Sequence, residues 1–504
     1  MIGPWDPGSY WLAKVALLKG VAVVYLIAFV VAAGQFRPLA GEDGLLPLSD
    51  YRERRRFRER PSLFYFFPDD RVIGAAAWAG VGLSVLALAG APTRLAPAPE
   101  LALVGHVLLW GLLWVLYLSF VNAGQSFYGF GWESMLLETG FLAVFLGPVA
   151  TATPLVLIWL FRWLLFRNML GAGLIKIRGD PCWRDLTCLD YHYETQPMPN
   201  PASRLAHRLP GPFHRLGVAV NHAVELAVPF LYFAPQPVAA VAGAATVGFQ
   251  GWLMLTGNFA WLNLLTAVQA FALFGDPLLT WLLPVGAATA APVPFAFEVA
   301  TWAVALLVIA LSYYPVRNLI SDGQAMNAAF DPLHLVNTYG AFGSITRTRN
   351  ELVIQGTDDP DPGPDADWRT YEFPGKPTDP EQRPQQIAPY HHRLGWQLWF
   401  AAMSTTPRAH PWLLHLVAKL LAGDDGTKPL LQHDPFPDDP PESVRVVRYR
   451  YRFADPGEGR WWDRERVGTY LRPVSVSDAR SRLNLERLGW ADALPESPPE
   501  WTAD

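Results

Sequence analysis

Up to about Pro315 the chain is a succession of apolar runs, each near the roughly 20 residues a helix needs to cross bilayer hydrocarbon. Lipid offers backbone groups no hydrogen bonds, so segments of this length are confined to helices. The clear runs are 13–35, 72–90, 101–121, 132–150, 152–172, 217–234, 237–256 and 296–315, and weaker ones at 258–274 and 277–291 are interrupted by Pro and Gly. The pattern predicts an α-helical polytopic membrane bundle of about eight or nine transmembrane helices, one weak run being re-entrant. Gly74, Gly80, Gly82 and Ser84 in the second run, and Ala239, Ala240, Gly243 and Ala244 in the seventh, are read as close-packing positions.

The chain divides in two. Residues 1–316 form the multi-pass domain, including a polar loop at 171–215, and residues 317–504 read as a soluble, mostly β domain with two docked amphipathic helices. Strands are expected at His334–Tyr339, Glu351–Gln355, Trp368–Phe373 and 445–453. In the last, Val447, Tyr449, Tyr451 and Phe453 alternate with Arg448, Arg450 and Arg452, giving one buried and one cationic face. The stripes Trp396, Trp399, Phe400, Met403 and Leu413, Leu416, Val417, Leu420, Leu421 have helical spacing and are read as packing faces.

With an odd number of spans, the 36–71 loop, the 122–131 turn, the cysteine loop and the C-terminal region share one face. That face carries most of the Lys and Arg, which by the positive-inside rule is cytoplasmic. A net charge of −5 argues against nucleic acid as a partner. No phosphate-binding loop, dinucleotide fingerprint or serine-hydrolase elbow is present, and nothing implies a cofactor.

The densest polar chemistry is GAGLIKIRGDPCWRDLTCLDYHYETQPMPNP at 171–201, which holds both cysteines, Cys182 and Cys188. In one helix, residues six apart lie about 9 Å from each other, beyond the roughly 7 Å that a disulfide spans. Pro181 favours a turn, in which a bridge is feasible. A loop-pinning disulfide, two free thiols, or a redox pair activated by Arg178, Arg184 or His192 all remain open. Tyr191, His192, Tyr193 and Glu194 lack the further ligands a metal site needs, so no metal is assigned. Asn221, His222 and Glu225 stand near the start of a span, as does Glu133, and Glu138 lies deeper and needs a partner, Arg162 or Arg167. Were the chain an enzyme, Cys182, Cys188, Lys176, His192, His222, Glu225 and Glu133 would be its catalytic candidates.

Five blocks carry a resemblance: GEDGLLP from Gly41, YGFGWESMLLETGFLAVF from Tyr128, the cysteine block through Pro201, NHAVELAVPF from Asn221 with TGNFAWLNLLT from Thr256, and LVNTYGAFGSITRTRNELVIQGT from Leu335. Together they resemble the lipase maturation factor family, nearer its type 1 than its type 2 members. The resemblance implies a multi-pass protein that helps secreted homodimeric lipases mature. Its client is contacted through the C-terminal region, and the cysteine loop and that region lie in the endoplasmic reticulum lumen, or outside the cytoplasmic membrane of a bacterium. Few cysteines and an Ala/Arg/Pro-rich composition suggest a bacterial-type member. Gly395 in HRLGWQLWF departs from the family, where an acidic residue is expected. Trp183, Tyr191, Tyr193, Arg448, Arg450, Arg452, Trp461 and Trp462 are the expected client contacts, Trp and Arg being enriched at interface hot spots. The membrane core also distantly resembles vitamin K-dependent carboxylase. That keeps an enzymatic alternative in view, a thiol oxidoreductase or a carboxylase-related activity at a lipid-accessible cavity.

Overall fold

A computed structural model describes residues 10–282 and 290–475. The bundle contains α1 (Trp11–Ala40), α2 (Asp70–Ala89), α3 (Pro99–Ala123), α4 (Gly131–Val144), α5 (Leu155–Arg178), α6 (Gly211–His222), α7 (Val238–Thr256), α8 (Leu262–Gln269), α9 (Asp276–Leu282) and α10 (Phe295–Leu311). Among the described residues seven helices are long and apolar enough to cross a membrane, or eight if the segment Leu262–Leu273 and α9, bent by 118°, form one broken span. The count falls short of nine because α4 is only 14 residues long. Gly147, at φ +72°, and Pro148 follow its end. Buried on nearly every side, α4 is enclosed by the bundle rather than exposed to lipid.

The long α1 is the bundle's central post, with Tyr25, Phe29 and Phe36 packed against Tyr117 and Phe120 of α3. Asp69 caps α2 by accepting from the Arg71 amide at 2.7 Å, and Gly90 closes it at φ +71°. Gly80 lets α2 approach α1 closely: a Cβ there would lie 2.2 Å from the Phe29 ring. Gly74 and Gly82 face open space, so only part of the small-residue stripe is packing surface.

Beyond α10, a four-stranded antiparallel sheet has the order β4-β3-β5-β6, with β3 at Arg349–Thr357, β4 at Arg369–Thr370, β5 at Ser443–Phe453 and β6 at Trp462–Ser475. A two-stranded ladder, β1 (Ala328–Ala329) with β2 (Asn337–Thr338), precedes it. The 14-residue β6 went unanticipated because RERVGTYLRP is charged and mostly exposed, as an edge strand tolerates. The two expected helices are α11 (Arg393–Met403) and α12 (Pro411–Leu421). The α12 stripe is buried throughout, whereas on α11 only Trp396 is fully buried while Phe400 and Met403 are exposed. The buried face of α11 is instead Leu394, Trp396, Leu398 and Ala401.

One hydrophobic core runs from the bundle into this region. Gln35 of α1 donates to the His391 carbonyl at 2.8 Å, and His415 of α12 meets the Leu45 carbonyl at 2.6 Å. Gln397 donates to the Ser126 carbonyl at 2.7 Å, and Trp399 to the Thr195 carbonyl at 3.0 Å. The 36–71 loop, the 122–131 turn, the cysteine loop and the C-terminal region therefore meet at one end of the bundle. At the other end Lys14 and Trp11 donate to the Pro148 and Val149 carbonyls, at 2.9 and 2.8 Å.

Candidate functional site

The cysteine loop begins where α5 ends. Asp180 accepts from the Cys182 amide at 3.0 Å and starts a short turn with Pro181 in its first position, which brings the cysteines within reach of each other. Cys182 and Cys188 are disulfide-bonded across a Cα separation of 4.8 Å, and both are buried. The Asp180 carboxylate also takes Arg347 at 2.7 and 3.0 Å and the Ile345 amide at 3.3 Å. The Arg347 guanidinium, with those amides, holds the Asp180 carboxyl down at about 2. Trp183 donates its indole N–H to the Phe342 carbonyl at 2.9 Å. The 335–357 block is thus folded directly onto the cysteine loop.

Four buried ionic groups tie the elements together. Lys176 Nζ donates to both Glu225 oxygens, at 2.6 and 2.7 Å, and to Asn221 at 3.0 Å. Glu138 pairs with Arg167 and accepts from the Asn337 amide at 3.1 Å and the Tyr339 hydroxyl at 2.7 Å. Of the two arginines expected for Glu138, Arg162 goes elsewhere, donating to the Ala272 and Tyr232 carbonyls and the Tyr10 hydroxyl. Glu133 holds Arg393 at 2.8 Å from a position 260 residues away, and also accepts from Tyr117. Arg349 and Lys376 both meet Glu351 in the C-terminal region. A buried charge is kept only when paired, so these contacts lock one arrangement of the chain.

Several expected site residues therefore have other work. Glu133 is bonded by Arg393 and Tyr117, and Glu225 by Lys176 and Asn221. His222 meets the Trp183 carbonyl at 2.9 Å. Among the expected client contacts, Trp183, Tyr193 and Trp462 are buried and not available at the surface. The Trp462 ring stacks on Phe453 at 4.3 Å. Arg448 is turned onto the Ser404 carbonyl and the Tyr470 ring, and Arg450 lies 3.6 Å from Glu465. Tyr191 and Trp461 are half-buried under Arg347 and Arg204, and Arg452 is exposed. At Gly395 a Cβ would sit 2.4 Å from Met198 Cε and 3.1 Å from the Pro374 carbonyl, so the expected acid would require these neighbours to shift. Sequence reasoning missed Arg393, Arg349 and Lys376, whose partners are distant in the chain or lie on an unanticipated buried face.

Between α5, α6, α7, the cysteine loop and α11 lies a cavity of about 1280 Å³. Lys176, His192, Asn221 and Glu225 line it, with Trp396, Trp399, Phe400 and Met403 from the C-terminal region. Burial beside Lys176 pushes the His192 imidazole down to about 3, so the ring is neutral.

The lipase maturation factor transmembrane domain family matches residues 12–281, and the lipase maturation factor C-terminal domain family matches residues 335–472. Lipase maturation factor 1 of Bos taurus is 44% identical, with 97% of this chain and 93% of that protein covered. The Homo sapiens protein of that name is 43% identical over 94% and 89%. Lipase maturation factor 2 of Homo sapiens is 30% identical over 96% and 85%. These relatives are vertebrate proteins and lend no support to the expectation of a bacterial-type member. No solved structure matches the chain. Two matched domains in one order, relatives aligned nearly end to end, and a bundle joined to its C-terminal sheet by those same blocks lead to one conclusion: the chain belongs to the lipase maturation factor family.

Proposed function

We propose that this protein is a membrane-anchored maturation factor that helps secreted lipases reach their active form. The observation that carries the reading is the Glu133–Arg393 junction at 2.8 Å, by which the membrane bundle holds the C-terminal region. A client bound there stays beside the membrane while it folds and assembles. The proposed contacts are the groups that keep some exposure: Arg450 and Arg452 on the sheet, and the half-buried Trp461 and Tyr191. The disulfide belongs in an oxidising compartment, so we place this face in the lumen of the endoplasmic reticulum, against the positive-inside count.

No observation favours the enzymatic alternative. Buried sulfurs give an incoming thiol no approach, and all three Lys176 donors are taken. The test is co-purification of a homodimeric secreted lipase with the full chain. Arg450→Glu with Arg452→Glu is expected to weaken capture about tenfold or more, the scale of an interface hot spot, with protein level unchanged. Undiminished capture would remove the sheet face from the interface.

A further inference from the structure

The cavity beneath the cysteine loop opens sideways. Phe213, Leu216 and Val220 of α6 and Trp252 of α7 line it and are also exposed. They belong to two segments that are long and apolar enough to cross the membrane, Gly211–Phe233 and Val238–Thr256. Exposed apolar side chains at the rim of a cavity between spanning helices meet acyl chains, not water. At about 1280 Å³ the space exceeds the roughly 300–1,000 Å³ of ordinary small-molecule pockets, so it suits a long-chain occupant.

The polar end of the cavity narrows the headgroup. Lys176 and Glu225 are the only Lys, Arg, Asp or Glu among its lining residues, and they neutralise each other. A charged head would lie in a low-dielectric space with no uncompensated partner. His192 is different: it is more than nine-tenths buried and lines the cavity. Its ring is held between Phe259 and Phe342, with centroids at 6.1 and 5.1 Å, and no described residue hydrogen-bonds to its nitrogens. A neutral imidazole has one donor and one acceptor nitrogen, and a hydroxyl satisfies either.

We infer that this cavity binds an uncharged, hydroxyl-bearing lipid of the diacylglycerol type, entering from the bilayer between α6 and α7, with its hydroxyl on His192 and its chains along the apolar wall. The site is separate from the proposed client face, since Arg450 and Arg452 are not among its lining residues.

The experiment uses the full chain in phosphatidylcholine nanodiscs with a diacylglycerol carrying a photoactivatable acyl chain, and a phosphatidylcholine carrying the same chain as control. Cross-links are mapped by mass spectrometry. The diacylglycerol probe is expected to label α6 and α7 peptides on the cavity side, to be displaced by unlabelled diacylglycerol, and not by added phosphatidylcholine. Gly248 lines the cavity and nothing lies within 4 Å of a Cβ placed on it, so Gly248→Trp is expected to crowd the space and cut labelling about tenfold. His192→Leu should cut it roughly fivefold through one lost hydrogen bond, and His192→Gln should retain it. Equal labelling by both probes, or labelling indifferent to Gly248→Trp, would overturn the site. Lipase capture by the same variants separates this result from the client reading, because it should not change.

Discussion

At the residue scale, the most consequential side chains are buried ions whose partners are remote in sequence. Glu138 was legible as a group needing a cation, because a lone carboxylate deep in an apolar helix is costly, and Arg167 supplies it. Its other partners, Asn337 and Tyr339, lie about 200 residues away, and no local pattern could join them. Arg393 was opaque for the same reason. Arg167→Met should cost about 3–5 kcal/mol of stability, since it strands Glu138, and the double variant with Glu138→Gln should recover part of that loss. Thermal unfolding of the detergent-purified protein reads both. Histidines give the pH dependence. His192 and His334 are pushed down to about 3 and His392 to about 4, chiefly by burial. Each titrates near 6.5 when unfolded, so its neutral form stabilises the fold above that pH. This stability is lost as pH falls from about 6.5 towards 4, and melting temperature should drop across that window. A flat profile there would contradict their burial as neutral rings.

At the scale of elements, length and apolarity located the long helices because the bilayer imposes both. The run at 132–150 shows the limit: hydropathy does not separate a helix enclosed by protein from one facing lipid, and the Gly147–Pro148 break stops α4 short. Strand β5 was readable from its alternation, whereas β6 was not, because an edge strand exposed on one side needs little apolar residue. The burial of Trp462 follows from that missed strand, which pairs it with Phe453. For the cysteine loop, spacing allowed a bridge only if the chain turned, and the Asp180–Pro181 start of the turn supplies that. Replacing Cys182 and Cys188 by Ser should cost about 2–2.5 kcal/mol on the chain-entropy account. In the native membrane, maleimide labelling of these thiols is expected only after reduction and unfolding. Labelling without reduction would place the loop in a reducing compartment and overturn the lumenal assignment.

At the scale of the whole molecule, membrane bundle, disulfide loop and C-terminal sheet are one packed body rather than an anchor with a tethered domain. The 335–357 block connects all three: Asn337 and Tyr339 reach Glu138, Arg347 reaches Asp180, and Arg349 donates to the Glu194 and Gln196 carbonyls. Its wording pointed to the family, but its role as the joint is visible only once the chain is folded. On the proposed function, this body matures lipases at the membrane. The most direct measurement is specific activity of a homodimeric lipase secreted by cells that lack their own maturation factors, with and without this protein. The full chain is expected to raise activity per secreted lipase molecule, and Arg393→Met, which removes the partner of Glu133 in the C-terminal region, is expected not to, even where the variant accumulates in the membrane. Secretion of equally active lipase with and without the full chain would contradict it.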